Sequence, residues 1–173
     1  MSENKKYSKY MLMLGAGLMQ KPAIDAAHKN GFFVYLVDAN PNALCVPFAD
    51  HFEPIDLKDR AALANYAKKI QAEHGLHAVF TAGTDFSASV SYVAQECGLS
   101  AHSFEAALNA TDKARMRQCF KDANVPSPLF TEADAETLKT FKNAHNEAEK
   151  SKKSPVLTQI LKINVDFPMV VKP

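Results

Sequence analysis

The sequence predicts an α/β protein built on a parallel sheet, and three observations carry that prediction. Residues 10–14 and 32–37 are unbroken apolar runs rather than alternating ones, which is how strands buried on both faces read. The segments that follow such runs have helical periodicity and stop at Gly31, Gly75 and Gly98. The first run feeds directly into the tight turn Gly15-Ala16-Gly17.

In order along the chain, Tyr10-Met-Leu-Met-Leu14 is the first strand, and Pro22 suits the first turn of a helix reaching Asn30. Residues 32–37 make a second buried strand ending at Asp38, which closes a β-α-β unit with a right-handed crossover. His51-Phe-Glu-Pro54 is a short edge strand, because Pro54 cannot donate to a ladder. Asp56 is the expected cap of the next helix, whose Leu63, Tyr66, Ala67 and Ile70 recur at i, i+3, i+4, i+7. Residues 77–81 form another strand. Thr84-Asp85 caps a helix carrying Phe86, Val90, Val93, Ala94 and Cys97 on one face.

From Ser103 the pattern changes. A short helix ends at Asn109, and Thr111 opens a second one with Met116, Cys119, Phe120 and Ala123 as its apolar stripe. The change places a domain boundary there, with residues 1–109 in a first domain and 110–173 in the beginning of a second. Pro126 and Pro128 enforce extended backbone, so a strand is expected over 129–131, followed by a helix over 134–148. Residues 147–154 are a solvated charge run, the pattern over 155–166 is mixed, and residues 167–172 read as a last strand. An apolar strand left as the final element lacks a neighbour, which predicts a polypeptide truncated at Pro173.

Composition excludes several classes. The 173 residues are 47% hydrophobic and 23% charged with a formal net charge of +1, which offers no electrostatic handle for nucleic acid or an anionic membrane. Small molecules are the expected partners. No apolar run is long enough to span a bilayer and no signal segment follows the polar start, so a cytoplasmic location is expected. Cys45, Cys97 and Cys119 are far apart and the six histidines form no HxxxH or HxH pair, so neither a disulfide framework nor a metal site is indicated.

Gly15-Ala-Gly-Leu-Met-Gln20 opens like a Rossmann-type dinucleotide fingerprint, with two glycines that permit a tight turn and close approach of a ligand to backbone N–H groups. Gln20 stands where the third glycine would be, with its side chain expected in the space of a pyrophosphate. Asp38 follows about 20 residues later, where such folds hold a ribose hydroxyl; Asp-Ala-Asn-Pro is equally a turn sequence. Thr81-Ala-Gly-Thr-Asp85 lies at the carboxyl end of the strand expected beside the first, where open α/β sheets bind ligands. Thr84 and Asp85 either read a substrate there or only cap the next helix. A nicotinamide-binding oxidoreductase domain and a non-catalytic ligand-binding module both remain open on these residues.

The ordered set is more specific than any member. The Gly15-Ala-Gly17 turn, Val37-Asp-Ala-Asn-Pro41, Ala49-Asp-His51, Thr81-Ala-Gly-Thr-Asp85, Thr111-Asp-Lys-Ala-Arg-Met-Arg117, Asn124-Val-Pro-Ser-Pro128 and Phe167-Pro-Met-Val-Val-Lys-Pro173 together resemble the ATP-grasp superfamily, in particular the branch with biotin carboxylase and the large subunit of carbamoyl-phosphate synthase. The resemblance implies a Rossmann-like pre-ATP-grasp domain followed by the start of the ATP-grasp domain. It implies a parent enzyme that uses ATP and Mg2+ to join a carboxylate to an amine or related nucleophile through an acyl phosphate, and self-association into a homodimer through an apolar face of the first domain. Lys113 and Lys172 match the two lysines that reach the nucleotide in that family. Gly15, Gly17, Gln20, Asp38, Thr84 and Asp85 are then expected to line the substrate side of the crevice. The glycine-rich phosphate loop and the late magnesium ligands of the family have no counterpart in these residues, so the chain by itself is expected to be inactive. The stretch between Asn146 and Val165 is longer than the family pattern, as an insertion would be.

Overall fold

Six successive residues, Lys9–Leu14, form β1, whose last three are fully buried. Its neighbours are β2 (Phe32–Asp38) and β4 (Ala78–Phe80), with β3 (His51–Pro54) outside β2. The order is β3-β2-β1-β4 and every pairing is parallel. The predicted parallel sheet and the edge position of the strand holding Pro54 are therefore both observed. The computed structural model describes residues 7–128 and, beyond them, residues 130, 132, 134, 136, 139, 140 and 143. The chain divides into two compact units, Met1–Asp112 and Lys113–Pro173.

Alternation along the strands divides the core of the first unit into two layers. Leu12, Leu14, Tyr35 and Val37 face α2 (Arg60–His74) and α3 (Ser87–Glu96), where they meet Leu63, Ala67, Ile70, Val93 and Cys97. Met13, Val34 and Leu36 face the other way, onto Ile24 and Ala27 of α1 (Lys21–Lys29) and onto Cys45. The periodic apolar positions read from the sequence in α2 are thus buried as expected, with Tyr66 half-buried at the margin. A further helix, α4 (Phe104–Thr111), packs on α3 through Phe104, whose ring meets Tyr92 edge-on at 5.4 Å.

Helix starts differ from the expected caps. Asp56 accepts from the Lys58 N–H at 2.9 Å, closing an Asx turn, and Asp59 caps α2 by accepting from the Ala62 N–H at 3.0 Å. Two good capping residues three apart leave the choice to the chain path, which reaches the helix axis only at Asp59. Phe86, not Thr84 or Asp85, holds the cap position of α3, and it makes no side-chain cap bond. Thr111 closes α4 rather than opening the next helix: its hydroxyl donates back to the Ala107 carbonyl at 2.8 Å. The break falls at Asp112, whose backbone is extended.

In the second unit, α5 (Lys113–Asp122) carries the expected stripe, but no residue of it is fully buried. Met116, Cys119 and Phe120 are half-buried and Ala123 is exposed. Periodicity identifies which face turns inward, whereas depth of burial depends on what packs there. Asn124, with φ 54°, ends this helix in the left-handed conformation, and the Val125 N–H returns to the Phe120 carbonyl at 2.8 Å. The strands expected over 129–131 and 167–172, and the mixed stretch before the latter, lie mostly or wholly outside the described residues. Of the helix expected over 134–148, Glu136, Lys139, Thr140 and Asn143 are helical, and the Thr140 hydroxyl donates to the Glu136 carbonyl at 3.0 Å. No helix among the described residues is long and apolar enough to cross a membrane.

Tyrosines on the first unit give its stability a pH dependence. The Tyr7 hydroxyl donates to Asp50 at 2.8 Å, and that bond, with some desolvation, raises its pKa; burial raises those of Tyr66 and Tyr35. Folded-state pKa values above the unfolded value of about 10 mean that this contribution is complete below pH 10 and is lost as pH rises beyond it. The urea midpoint is therefore expected to fall steadily above pH 10, and less steeply in Tyr66→Phe. A flat midpoint through pH 11 would refute the assignment.

Candidate functional site

Three loops meet at the carboxyl ends of β2, β1 and β4, and their contacts follow from a few side chains. The chain leaves β1 at Gly15, whose φ of 93° is a left-handed conformation. A Cβ there would stand 3.3 Å from Gln20 Nε2. The Gly15 N–H donates to Val37 at 2.8 Å, and the next N–H, that of Ala16, donates to Asp38 Oδ2 at 2.8 Å. The other Asp38 oxygen accepts from the Asn40 N–H at 2.9 Å. Of the two readings of Asp38 from the sequence, the turn is the one observed. It builds a turn, and it also ties the end of β2 to the glycine turn.

Gln20 is the centre of the arrangement. It is 1% exposed, and its side-chain amide pairs with both polar groups of one backbone residue: Nε2 donates to the Ala82 carbonyl at 2.7 Å and the Ala82 N–H donates to Oε1 at 3.0 Å. This corrects the expectation that Gln20 projects into ligand space, since a side chain this enclosed lines no open crevice. It acts as a short piece of sheet ladder, clamping the segment after β4 onto the turn after β1. Met19 packs over the same segment, so closely that a Cβ on Gly83 would lie 3.0 Å from Met19 Cβ.

Thr81 and Thr84 complete the clamp in a chain of hydroxyls whose direction is fixed. The Thr81 hydroxyl donates to the Leu14 carbonyl at 2.7 Å, so the hydrogen in the 2.8 Å contact between the two threonines comes from Thr84. Thr84 accepts in turn from the Phe86 N–H at 3.3 Å. Thr84 therefore spends its hydroxyl within the loop, as a turn-builder two positions before the observed cap, Phe86. Asp85 is exposed and joins no ion pair among the described residues.

The sequence reading missed Cys45. It was read only as outside any disulfide framework or metal site, yet its N–H donates to the Ala16 carbonyl at 2.9 Å and its thiol to the Gly17 carbonyl at 3.0 Å. No pattern marks such a residue, because its partners lie a whole strand earlier in the chain.

Gly17 contrasts with Gly15. Its φ is −72°, open to any residue, and a Cβ on it would meet nothing within 4 Å. It is exposed and flanked by Leu18 and Met19, which are 67% and 65% exposed. The fold does not require glycine here. What glycine adds is bare backbone at the mouth of the crevice, held in place from behind by Cys45 and Gln20.

The loops are thus joined by hydrogen bonds, and Gly17, Gly83 and Asp85 are exposed on them. The sequence-predicted residues are brought together, but they divide into a structural set, Gly15, Gln20, Asp38 and Thr84, and an accessible pair, Gly17 and Asp85. Lys113 belongs to the second unit, where it is exposed at the first position of α5 and forms no ion pair among the described residues. Lys172 lies outside the described residues. Among the described residues no group of three or more His, Cys, Asp or Glu is placed to hold a metal ion.

Neither a protein-family model nor a curated protein matches the sequence. Solved structures do. Phosphoribosylglycinamide synthetase from Anaerococcus prevotii superposes with a TM-score of 0.59 at 24% identity, covering 78% of this chain and 34% of its own. N5-carboxyaminoimidazole synthetase from Staphylococcus aureus, complexed with ADP, gives 0.57 at 16% identity, covering 84% of this chain and 37% of its own. The fold of this chain is one that these synthetases contain. The biotin carboxylase domain of a thermophilic 2-oxoglutarate carboxylase, bound to bicarbonate, follows at 0.51 with 17% identity, covering 83% of this chain and 41% of its own. The resemblance read from the ordered motifs is thereby met at the level of fold. The chain spans about a third of the length of the ligases it matches first.

Proposed function

We propose that this chain contributes the N-terminal part of an ATP-dependent ligase that activates a carboxylate as an acyl phosphate and passes it to an amine or a related nucleophile. The observation that carries the reading is the accessible backbone at Gly17, a glycine that the fold does not need, held over a clamped floor where α/β sheets bind their ligands. The first unit would hold the substrate side, with Gly17 and Asp85 touching it and Gly15, Gln20, Asp38 and Thr84 positioning the loops. Lys113 and Lys172 would reach the phosphates of ATP, where compact ammonium charges offset the charge on the transferring group; Mg2+ would add charge stabilisation there, held by residues outside this chain. The rest of the catalytic machinery would come from the other two thirds of a ligase, so the 173 residues alone are proposed to be inactive. The setting of the reaction would be the cytoplasm, its substrates small molecules, and its assembly a homodimer.

The dinucleotide alternative is disfavoured by two contacts. Gln20 occupies the third-glycine position from inside the fold, and the Asp38 oxygens are already engaged by Ala16 and Asn40.

The test is ADP release by the complete gene product supplied with Mg2+, ATP and a panel of carboxylates and amines. Gly17→Ala is expected to keep the thermal midpoint while lowering kcat/KM by about 10-fold or more, because a methyl group then stands where substrate meets backbone. No ADP release with any carboxylate, or tight NADH binding by fluorescence, would overturn the ligase reading.

A further inference from the structure

The loop that follows β2 holds three successive peptide groups of the turn after β1. At its start Asp38 accepts from the Ala16 N–H at 2.8 Å. At its far end the Cys45 N–H donates to the Ala16 carbonyl at 2.9 Å, and the Cys45 thiol donates to the Gly17 carbonyl at 3.0 Å. Two Asx turns stiffen the loop between these points: Asp38 accepts from the Asn40 N–H at 2.9 Å, and Asn40 from the Asn42 N–H at 3.0 Å. Cys45 itself is fully buried in the core layer that holds Met13, Ala16 and Ile24.

These bonds fix directions as well as places. In a trans peptide the carbonyl and the N–H point opposite ways. Carbonyls of Ala16 and Gly17 drawn toward Cys45 therefore turn the N–H groups of Gly17 and Leu18 away from it. Both residues are exposed, and neither N–H is hydrogen-bonded among the described residues. Glycine lets the adjoining peptide groups rotate at little cost, and no atom stands within 4 Å of where a Gly17 side chain would be, so packing does not hold them. The Gly17 carbonyl has one other donor, the Gln20 N–H at 3.0 Å, which comes from the same turn. The thiol is thus the bond that ties the Gly17–Leu18 peptide group to a different segment of the chain.

We propose that Cys45 is a positioning residue, whose thiol holds the Gly17–Leu18 peptide group with its N–H toward the crevice, where it donates to a substrate oxygen. The inference rests on the ligase reading and deepens it by naming the backbone group that the substrate meets. Residual dipolar couplings of the 173-residue chain report the N–H directions at Gly17 and Leu18. In Cys45→Ala the Leu18 vector is expected to turn, while the Gly17 vector, held through the Cys45 backbone N–H, stays. Cys45→Ser keeps a donor in nearly the same place and is expected to restore it. In the complete gene product, assayed by ADP release with Mg2+, ATP and the panel of carboxylates and amines, Cys45→Ala should raise KM for the small-molecule substrate about 3- to 5-fold. KM for ATP should be unchanged, and Cys45→Ser should recover most of the loss. A residue that only fills buried space would give the reverse order, because an unpaired hydroxyl costs more to bury than a methyl group. An unmoved Leu18 vector in Cys45→Ala, or a lower KM in Cys45→Ala than in Cys45→Ser, overturns the inference and leaves the ligase reading standing. No ADP release from the wild type overturns that reading instead, and the couplings still decide whether Cys45 sets the direction of the peptide group.

Discussion

Gln20→Leu is expected to destabilise the first unit by about 2–4 kcal/mol, the largest single effect at the crevice. Leucine fills nearly the same volume, so packing is preserved and the loss is polar. The Ala82 N–H and carbonyl both lose their partner, and Thr81 loses the weaker 3.4 Å contact from Nε2. Leaving a shielded donor and acceptor unmade costs far more than an exposed hydrogen bond contributes. Urea denaturation should show a lower midpoint with little change in slope. Amide exchange should also quicken over residues 81–84, because the clamp is what joins that segment to the turn after β1. An unchanged midpoint would mean that Ala82 finds water as readily as it found glutamine, and the clamp would then carry no structural weight.

The second large effect is Gly15→Ala, for which a loss of about 2–3 kcal/mol is expected. Part is backbone: at φ 93° an L side chain is strained wherever it points. The rest is contact, because the new methyl presses on Gln20 Nε2 at 3.3 Å and can be relieved only by loosening that amide from Ala82. The two substitutions share one structural element, so the double variant should lose less than the sum of the singles. Gly17→Ala provides the internal comparison, with a change within about 0.5 kcal/mol, since its conformation is ordinary and its surroundings are open. A thermal melt of the three variants decides the matter: similar losses at Gly15 and Gly17 would show that the turn, not the clamp, sets the cost.

Much of the architecture was legible in the order of residues. Unbroken apolar runs identify strands buried on both faces, and periodic stripes ended by glycine identify the helices between them, because these patterns depend only on local geometry and burial. The ordered motifs carried the resemblance to ATP-grasp ligases, and the superposed structures agree at the level of fold. Helix starts were less legible. Asp56 and Asp59 have the same intrinsic preference and only the chain path chooses between them, while at α3 that path puts the cap at Phe86 against preference. The division of labour at the crevice was not in the sequence at all. Gln20 and Asp85 are both polar residues beside a glycine turn, and only the tertiary structure turns one inward onto Ala82 and leaves the other in solvent. Cys45 is of the same kind, since its partners come from a segment distant in the chain. Local sequence determines what a segment forms; the packing of segments far apart in the chain decides which polar atoms remain free to meet a ligand.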